Sequence, residues 1–344
     1  MTRGGGAEGA SLGPAEKPPR HIPVLVSEVL ESLAPKDGET YIDGTFGAGG
    51  YTRAILGAAN CNVLALDRDP NAIRDSAALM EDAAGRLKVV ESPFGQMEDV
   101  VREELSGQAV DGVVLDIGVS SMQLDDAARG FSFQSDGPLD MRMSSSGMSA
   151  ADFVNTAEEE EIANVIYTFG EEHRSRAIAR AIVKRREETP FTRTLELAEM
   201  VLRVFHGRKV DGRHPATRTF QALRIFVNDE LGQLANGLSA AERVLKPGGR
   251  LVVVSFHSLE DRIVKKFLTE RSGKTAGASR HLPPESIKST QPSFRIVNSR
   301  PLTPSKGELE VNPRARSARL RAAIRTDAAA WPLNLDAMGV PQHR

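Results

Sequence analysis

Short unbroken apolar runs, each closed by an acid, alternate with stretches of helical spacing through the first third of the chain. Tyr41-Ile-Asp43, Val63-Leu-Ala-Leu-Asp67 and Gly112-Val-Val-Leu-Asp116 show no polar alternation, as expected of strands covered on both faces. The pattern predicts strands at about 40–43, 62–67, 87–91 and 111–117, and helices near 26–33, 50–58, 70–83 and 96–105. Such alternation gives an α/β fold, a parallel sheet with helices on both faces.

The pattern changes after Asp125. Residues 126–149 are polar and rich in Gly, Ser and Asp, as in a long functional loop. Helical spacing then returns near 157–166, 175–184 and 194–205, with Thr189-Pro190 as a stop. In the second of these, Arg176, Arg180 and Lys184 recur every fourth residue opposite Ile178 and Ile182, a basic stripe on one face. Core pattern resumes as one long helix from about 216 to 245, loosened near Gly232 and Gly237. Lys246-Pro-Gly-Gly-Arg250 reads as a turn and Leu251-Val-Val-Val-Ser-Phe256 as a buried strand, with 294–298 and 318–324 as a closing antiparallel pair. The division expected is a disordered tail over 1–20, a core over 21–125, an inserted all-helical domain over 126–215, the rest of the core over 216–325, and a tail over 326–344. Residues 271–292 read as a mobile loop.

Composition narrows the class. The 344 residues are 40% hydrophobic and 26% charged, an ordinary soluble balance. A single cysteine allows no internal disulfide. No run approaches the roughly 18 apolar residues of a membrane span, and the start lacks the apolar run of a signal peptide, so a cytoplasmic location without a membrane partner is expected. The formal charge of −2 conceals an asymmetry: residues 174–218 hold twelve Lys or Arg against five Asp or Glu. A basic block in an otherwise acidic chain fits RNA, although a solvated helical face would look the same. A second run, residues 314–325, has five arginines and no acid.

The turn after the first strand carries the chemistry. Asp43, Gly47 and Gly49 open a strand–turn–helix unit that lets backbone approach a ligand, and Asp67 closes the next strand where ribose hydroxyls would lie. The third glycine of a dinucleotide fingerprint is missing. Asp43 would repel a pyrophosphate and suits the sulfonium and ammonium of S-adenosyl-L-methionine. Asp67-Arg-Asp-Pro70 also reads as a helix cap. Asp116 ends a third strand, so three acids should converge over neighbouring strand ends. The seven histidines form no His-x-x-x-His pair and join no cysteine cluster, so no metal is expected. The acids at 158–161 read as a solvated helix start.

With these strings in view the chain resembles the RsmH/MraW ribosomal RNA methyltransferases. The resemblance is carried by Asp43-Gly-Thr-Phe-Gly-Ala-Gly-Gly50, Leu115-Asp-Ile-Gly-Val-Ser-Ser121, Arg129-Gly-Phe-Ser-Phe133 and Asp136-Gly-Pro-Leu-Asp-Met-Arg142. It continues through His214-Pro-Ala-Thr-Arg-Thr-Phe-Gln-Ala-Leu-Arg224, Ser255-Phe-His-Ser-Leu-Glu-Asp-Arg262 and Asn312-Pro-Arg-Ala-Arg-Ser317, and spans roughly residues 21 to 325. It implies a Rossmann-like class I S-adenosylmethionine-dependent methyltransferase that modifies the exocyclic N(4) amine of a cytidine in small-subunit (16S) rRNA near the decoding centre. The implied partner is that rRNA in the subunit or its precursor, with a second copy of the chain kept open as another.

On the same resemblance, Gly49, Gly50 and Tyr51 line the methionine end of the cofactor, where helix amides can hold its carboxylate. Asp67 takes the ribose, Phe94 packs on the adenine, and Asp116 and Gln123 complete the set. Tyr51 stands where many relatives have histidine. The acceptor for the amine proton stays open. The polar-Pro-Pro-aromatic motif of many amino-directed enzymes is replaced by Asp116-Ile-Gly-Val-Ser-Ser121, so Asp116, backbone carbonyls of that loop, Ser120 and Ser121 are all candidates. Ser255, His257 and Asp261 follow the next strand and could face the base, though His257 reads equally as a structural histidine. For RNA phosphates the candidates are Arg176, Arg180, Lys184, Arg218, Arg314 and Arg316. Two other readings are kept: a methyltransferase for a small molecule or protein, and a non-catalytic ribosome-assembly factor that keeps the fold as scaffold.

Overall fold

The computed structural model describes residues 23–210, 212–274 and 291–341. The 1–20 tail, His21 and Ile22, and most of the 271–292 loop lie outside them. The first half runs α1 (Val26–Leu33), β1 (Thr40–Asp43), α2 (Gly50–Ala58), β2 (Asn62–Asp67), α3 (Pro70–Asp75), α4 (Ala77–Asp82), β3 (Leu87–Glu91), α5 (Met97–Glu104), β4 (Val110–Asp116) and α6 (Ser121–Asp125). Four helices of the interruption follow: α7 (Ala150–Thr156), α8 (Glu159–Gly170), α9 (Ser175–Glu188) and α10 (Thr194–Val204). The core closes with α11 (Ala216–Asn228), α12 (Glu230–Val244), β5 (Leu245–Ser255), α13 (Ser258–Arg271), β6 (Phe294–Ile296), α14 (Lys306–Val311), β7 (Arg319–Arg325) and α15 (Leu335–Met338).

The seven strands form one sheet in the order β3-β2-β1-β4-β5-β7-β6. The first five are parallel, while β7 is antiparallel to β5 and β6. Strand side chains alternate between two cores: Ile42, Leu64, Val113 and Val253 bury into one face, Tyr41, Val63, Val114 and Val252 into the other. The order reverses between β1 and β4, so their carboxyl ends diverge and leave a crevice at the switch point.

Three expectations need correction. The single helix over 216–245 is two helices, broken at Asp229, which takes a left-handed φ of 47°. The break is not at the glycines. Gly232 and Gly237 lie inside α12, where a Cβ would fall 2.4 Å from Asp229 Oδ1 and 2.3 Å from Phe94 Cδ2 respectively. Lys-Pro-Gly-Gly is not a turn outside the strand but a bulge within β5: the register with β4 jumps from Val110↔Leu245 to Gly112↔Arg250, and Gly248 has a φ of 85°. Residues 326–341 are packed rather than tail-like. The fully buried Arg271–Glu242 pair, 3.0 Å apart, needs further partners. Pro332 O accepts from Arg271 Nη2, Trp331 N donates to Glu242 Oε1, and Met338 of α15 is fully buried.

The inserted helices share the core of one sheet face. Phe153, Ile166, Ile178 and Val201 pack with Leu223 and Phe220 of α11 in the cluster that contains Ile42 and Val113. Glu171, at the end of α8, fastens them to α13 by accepting from Ser258 Oγ at 2.6 Å and Arg262 Nη2 at 3.0 Å.

Candidate functional site

A cavity of about 410 Å³ opens over the carboxyl ends of β2, β1, β4 and β5. Its floor at β1 is the glycine turn, where Gly47 and Gly49 take φ of 52° and 73°. Gly47 N donates to Asp67 Oδ2 at 2.7 Å, which ties the turn to the end of β2. A Cβ on Gly50 would lie 2.5 Å from Pro23 Cγ, so only glycine allows this approach. Gly47, Gly50 and Tyr51 line the cavity, and Gly49 lies just behind them, buried. The Tyr51 hydroxyl donates to Val24 O, so its ring serves as wall.

Asp43 does not reach the cavity. It is fully buried beneath the turn and accepts from Thr52 Oγ1 at 2.7 Å and Thr45 N at 3.2 Å. Burial pushes its carboxyl up to about 6. It braces the loop from behind. Asp67 lines the cavity with one backbone amide on each oxygen, Gly47 N and Asp69 N, and keeps lone pairs for hydroxyls. Burial also raises it above the ordinary carboxylate range. Phe94, following β3, presents its ring to the same space.

Asp116 stands at the centre. Its backbone N donates to Thr45 Oγ1, and its carboxylate lines the cavity with Oδ1 buried and without a partner. Burial, then Asp43 and Glu260, raise it well above the usual range. The loop beyond it is set by a capping box. Ser120 Oγ accepts from Gln123 N, and Gln123 Oε1 accepts from Ser120 N. Gln123 Nε2 also donates to Asp69 Oδ2 at 2.9 Å. Ser120 is therefore engaged first as a cap, with its own proton free to donate, and Ser121 begins α6.

His257 is not among the cavity residues, contrary to the expectation that it could face the base. It caps α13: Nδ1 accepts from Glu260 N, and Nε2 lies 2.9 Å from Glu260 Oε1, out of line for a hydrogen bond. Burial alone would raise Glu260, but His257 and Arg224 outweigh it and hold it below the usual range. Ser255 and Asp261 are also structural, Asp261 in a buried pair with Arg321 at 2.7 Å. Ligand atoms of Glu230, His257 and Glu260 lie within 4.8 Å of one another. They do not suit a cation, because Arg224 occupies both Glu230 oxygens and the accepting Nδ1 puts the imidazole proton on Nε2.

The RNA candidates divide. Arg176, Arg180 and Lys184 are exposed along α9, with only Arg180 near an acid, Glu159 at 3.7 Å. Arg218 donates to Glu171 O beside the fastening of the insertion. Arg314 lines the cavity mouth and pairs with Asp125 at 2.5 Å, and Arg316 beside it is exposed.

Several residues escaped sequence reasoning. Arg129 holds Asp69 at 2.7 Å and two carbonyls of its own loop, Arg142 O and Met143 O. Asn228 holds that loop to α11 through Met141 O and Met143 N. Arg224 lines the cavity in a bidentate pair with Glu230 across the helix break. None of these has a local spacing that would have marked it.

A crevice at the switch point, with a carboxylate behind its glycine turn where a pyrophosphate would need amides alone, defines a Rossmann-like S-adenosylmethionine-dependent methyltransferase carrying a helical insertion. Comparison of the sequence with known families agrees and is more specific. Residues 19–326 match the MraW methylase family, and the chain belongs to that family. Similar proteins include the "Ribosomal RNA small subunit methyltransferase H" of Parvibaculum lavamentivorans, 60% identical over 93% of each chain. Those of Xanthobacter autotrophicus, 58% identical over 94% of this chain and 93% of that one, and Caulobacter vibrioides, 58% over 90% and 97%, carry the same name. These names speak of rRNA and give no support to a second copy of the chain as partner. Among the described residues no helix is long and apolar enough to cross a membrane.

Proposed function

We propose that the protein methylates small-subunit (16S) rRNA, and that the atom modified is the exocyclic N(4) amine of a cytidine. The rRNA part is supported by the shared name of relatives at 58–60% identity. The amine is supported chiefly by Asp116, which lines the cavity and whose buried Oδ1 has no protein partner. Bound S-adenosylmethionine supplies an electrophilic methyl group on a sulfonium. An amine conjugated with a pyrimidine ring is a poor nucleophile, so alignment and a proton acceptor are what the protein must add. Transfer of that methyl would form the nitrogen–carbon bond as the carbon–sulfur bond breaks, and the Asp116 carboxylate would accept the N–H proton. A carboxylate raised by burial is a stronger base than an exposed one, and a cation beside it favours the ionised form that accepts.

The other roles follow from the same placement. Asp67 takes the ribose hydroxyls, Phe94 the adenine, and the turn at Gly47–Tyr51 the methionine end. Gln123 links the ribose side to the strand-four loop through Asp69. Arg176, Arg180 and Lys184, with Arg314 and Arg316, contact RNA phosphates. Cys61 is buried, bonded to Ile55 O and absent from the cavity lining, which favours nitrogen over a ring carbon that requires covalent attack.

Small subunits from a strain lacking the protein, incubated with it and labelled S-adenosylmethionine, should acquire one label. Mass spectrometry of rRNA fragments should place it on the amine of a cytidine. Label on another atom overturns the amine reading. Label only in small molecules or protein favours the alternative enzyme, and none at all favours an assembly factor.

A further inference from the structure

We infer that Arg224 reads the target base, donating from its guanidinium to the O2 and N3 acceptors of the cytosine whose amine faces Asp116. This role rests on the cytidine reading above. The cavity runs across four strand ends, and the cofactor groups claim only part of it. Asp67 ends β2, Phe94 follows β3, and the glycine turn follows β1. The half over β4 and β5 is left for the nucleotide. Arg224 belongs to that half, because its partner Glu230 clusters with His257 and Glu260 at the junction of β5 and α13. Met143 and Phe256 supply apolar surface in the same lining.

The guanidinium is fixed before any ligand arrives. Nε and Nη2 donate to Glu230 Oε1 and Oε2 at 2.7 and 2.8 Å, and Glu230 is only 5% exposed. Arg224 O accepts from Asn228 Nδ2, and Asn228 also holds Met141 O and Met143 N, so the wall is rigid. Nη1 remains, bonded to no other described residue. A phosphate suits it poorly, since the charge of Arg224 is already met by the bidentate pair with Glu230. A neutral edge rich in acceptors does. When N4 of cytosine points at the methyl donor, the adjoining edge shows N3 and O2, both acceptors. Uracil shows an N3–H there, and a donor facing a donor is rejected.

The test uses full-length protein loaded with S-adenosylhomocysteine and titrated with cytidine or uridine 5′-monophosphate. The natural protein should prefer the cytidine nucleotide by roughly tenfold or more. Arg224→Lys keeps the charge but loses the fork, and should bring the two nucleotides close to parity with S-adenosylhomocysteine affinity unchanged. Arg224→Gln with Glu230→Gln leaves no buried charge unpaired and should behave alike if the lysine variant folds poorly. Retained cytidine preference in a variant that still binds S-adenosylhomocysteine overturns the role of Arg224 alone. Mass spectrometry of rRNA methylated by the natural protein separates the other failure: methyl on a nucleotide other than cytidine removes the cytidine reading and this role with it.

Discussion

Asp67 does two things with one carboxylate, holding Gly47 N at 2.7 Å and facing the cavity. Asp67→Ala should weaken S-adenosylmethionine binding by about 1.5–3 kcal/mol, the scale for a lost hydrogen bond to a charged group. Calorimetry with unchanged affinity would move the ribose contact to another residue. Asp43, at the end of the neighbouring strand β1, is read from pH. Burial raises it from an ordinary 3.8 to about 6. Its contribution to stability is therefore complete below about pH 4 and is lost as pH rises through 6, by at most about 3 kcal/mol. Unfolding free energies for the natural protein and Asp43→Asn should draw apart by that amount across this window. A constant difference would show that Asp43 titrates normally. The acids at the strand ends were legible because an apolar run closed by a charge is rare. That Asp43 lies beneath the turn was not, because strand periodicity places a residue on a face without saying what covers it.

Element boundaries set the precision of the cavity. Gly237 lets α12 touch the ring of Phe94, where an added Cβ would meet Cδ2 at 2.3 Å. Gly237→Ala should gain about 1 kcal/mol of helix propensity, yet it must push the ring toward the ligand. Cofactor affinity should fall several-fold with little change in melting temperature. Equal affinity by calorimetry would mean that Phe94 does not define the adenine wall. The same region shows where sequence reasoning stopped. Gly232 and Gly237 suggested a loosened helix, because glycine lowers propensity wherever it stands. They serve close packing instead, and the break falls on Asp229. His257 suggested chemistry by residue type, but it caps α13, a role that depends on Glu260 N arriving beside Nδ1. The Arg224–Glu230 pair spans that break and belongs to neither helix pattern.

At the scale of the molecule, charge and architecture meet in the inserted helices. Their outer face carries Arg176, Arg180 and Lys184, and Glu171 fixes them to α13 beside the capped β5 end. Replacing all three by glutamine should lower the slope of log affinity against log salt for small subunits by about two, at 0.7–0.9 per phosphate contact. S-adenosylmethionine affinity should not change. An unaltered salt slope would make α9 a solvated face and direct attention to Arg314 and Arg316. The sheet itself imposes an order of events on folding. Asp116 ends β4 and Leu245 begins β5, yet the two strands are neighbours in the sheet, so everything between them is one large loop that must close before they pair. Helices assemble from local contacts faster than distant strands find each other. Collapse of α7–α11 on Phe153, Ile166 and Ile178 shortens that loop and brings its ends together. Ile178→Ala, a fully buried change, should then slow refolding as well as hasten unfolding in stopped-flow kinetics. A change in the unfolding rate alone would mean that the strands meet first. The helices that form the basic face are on this account the clamp that lets a divided sheet close.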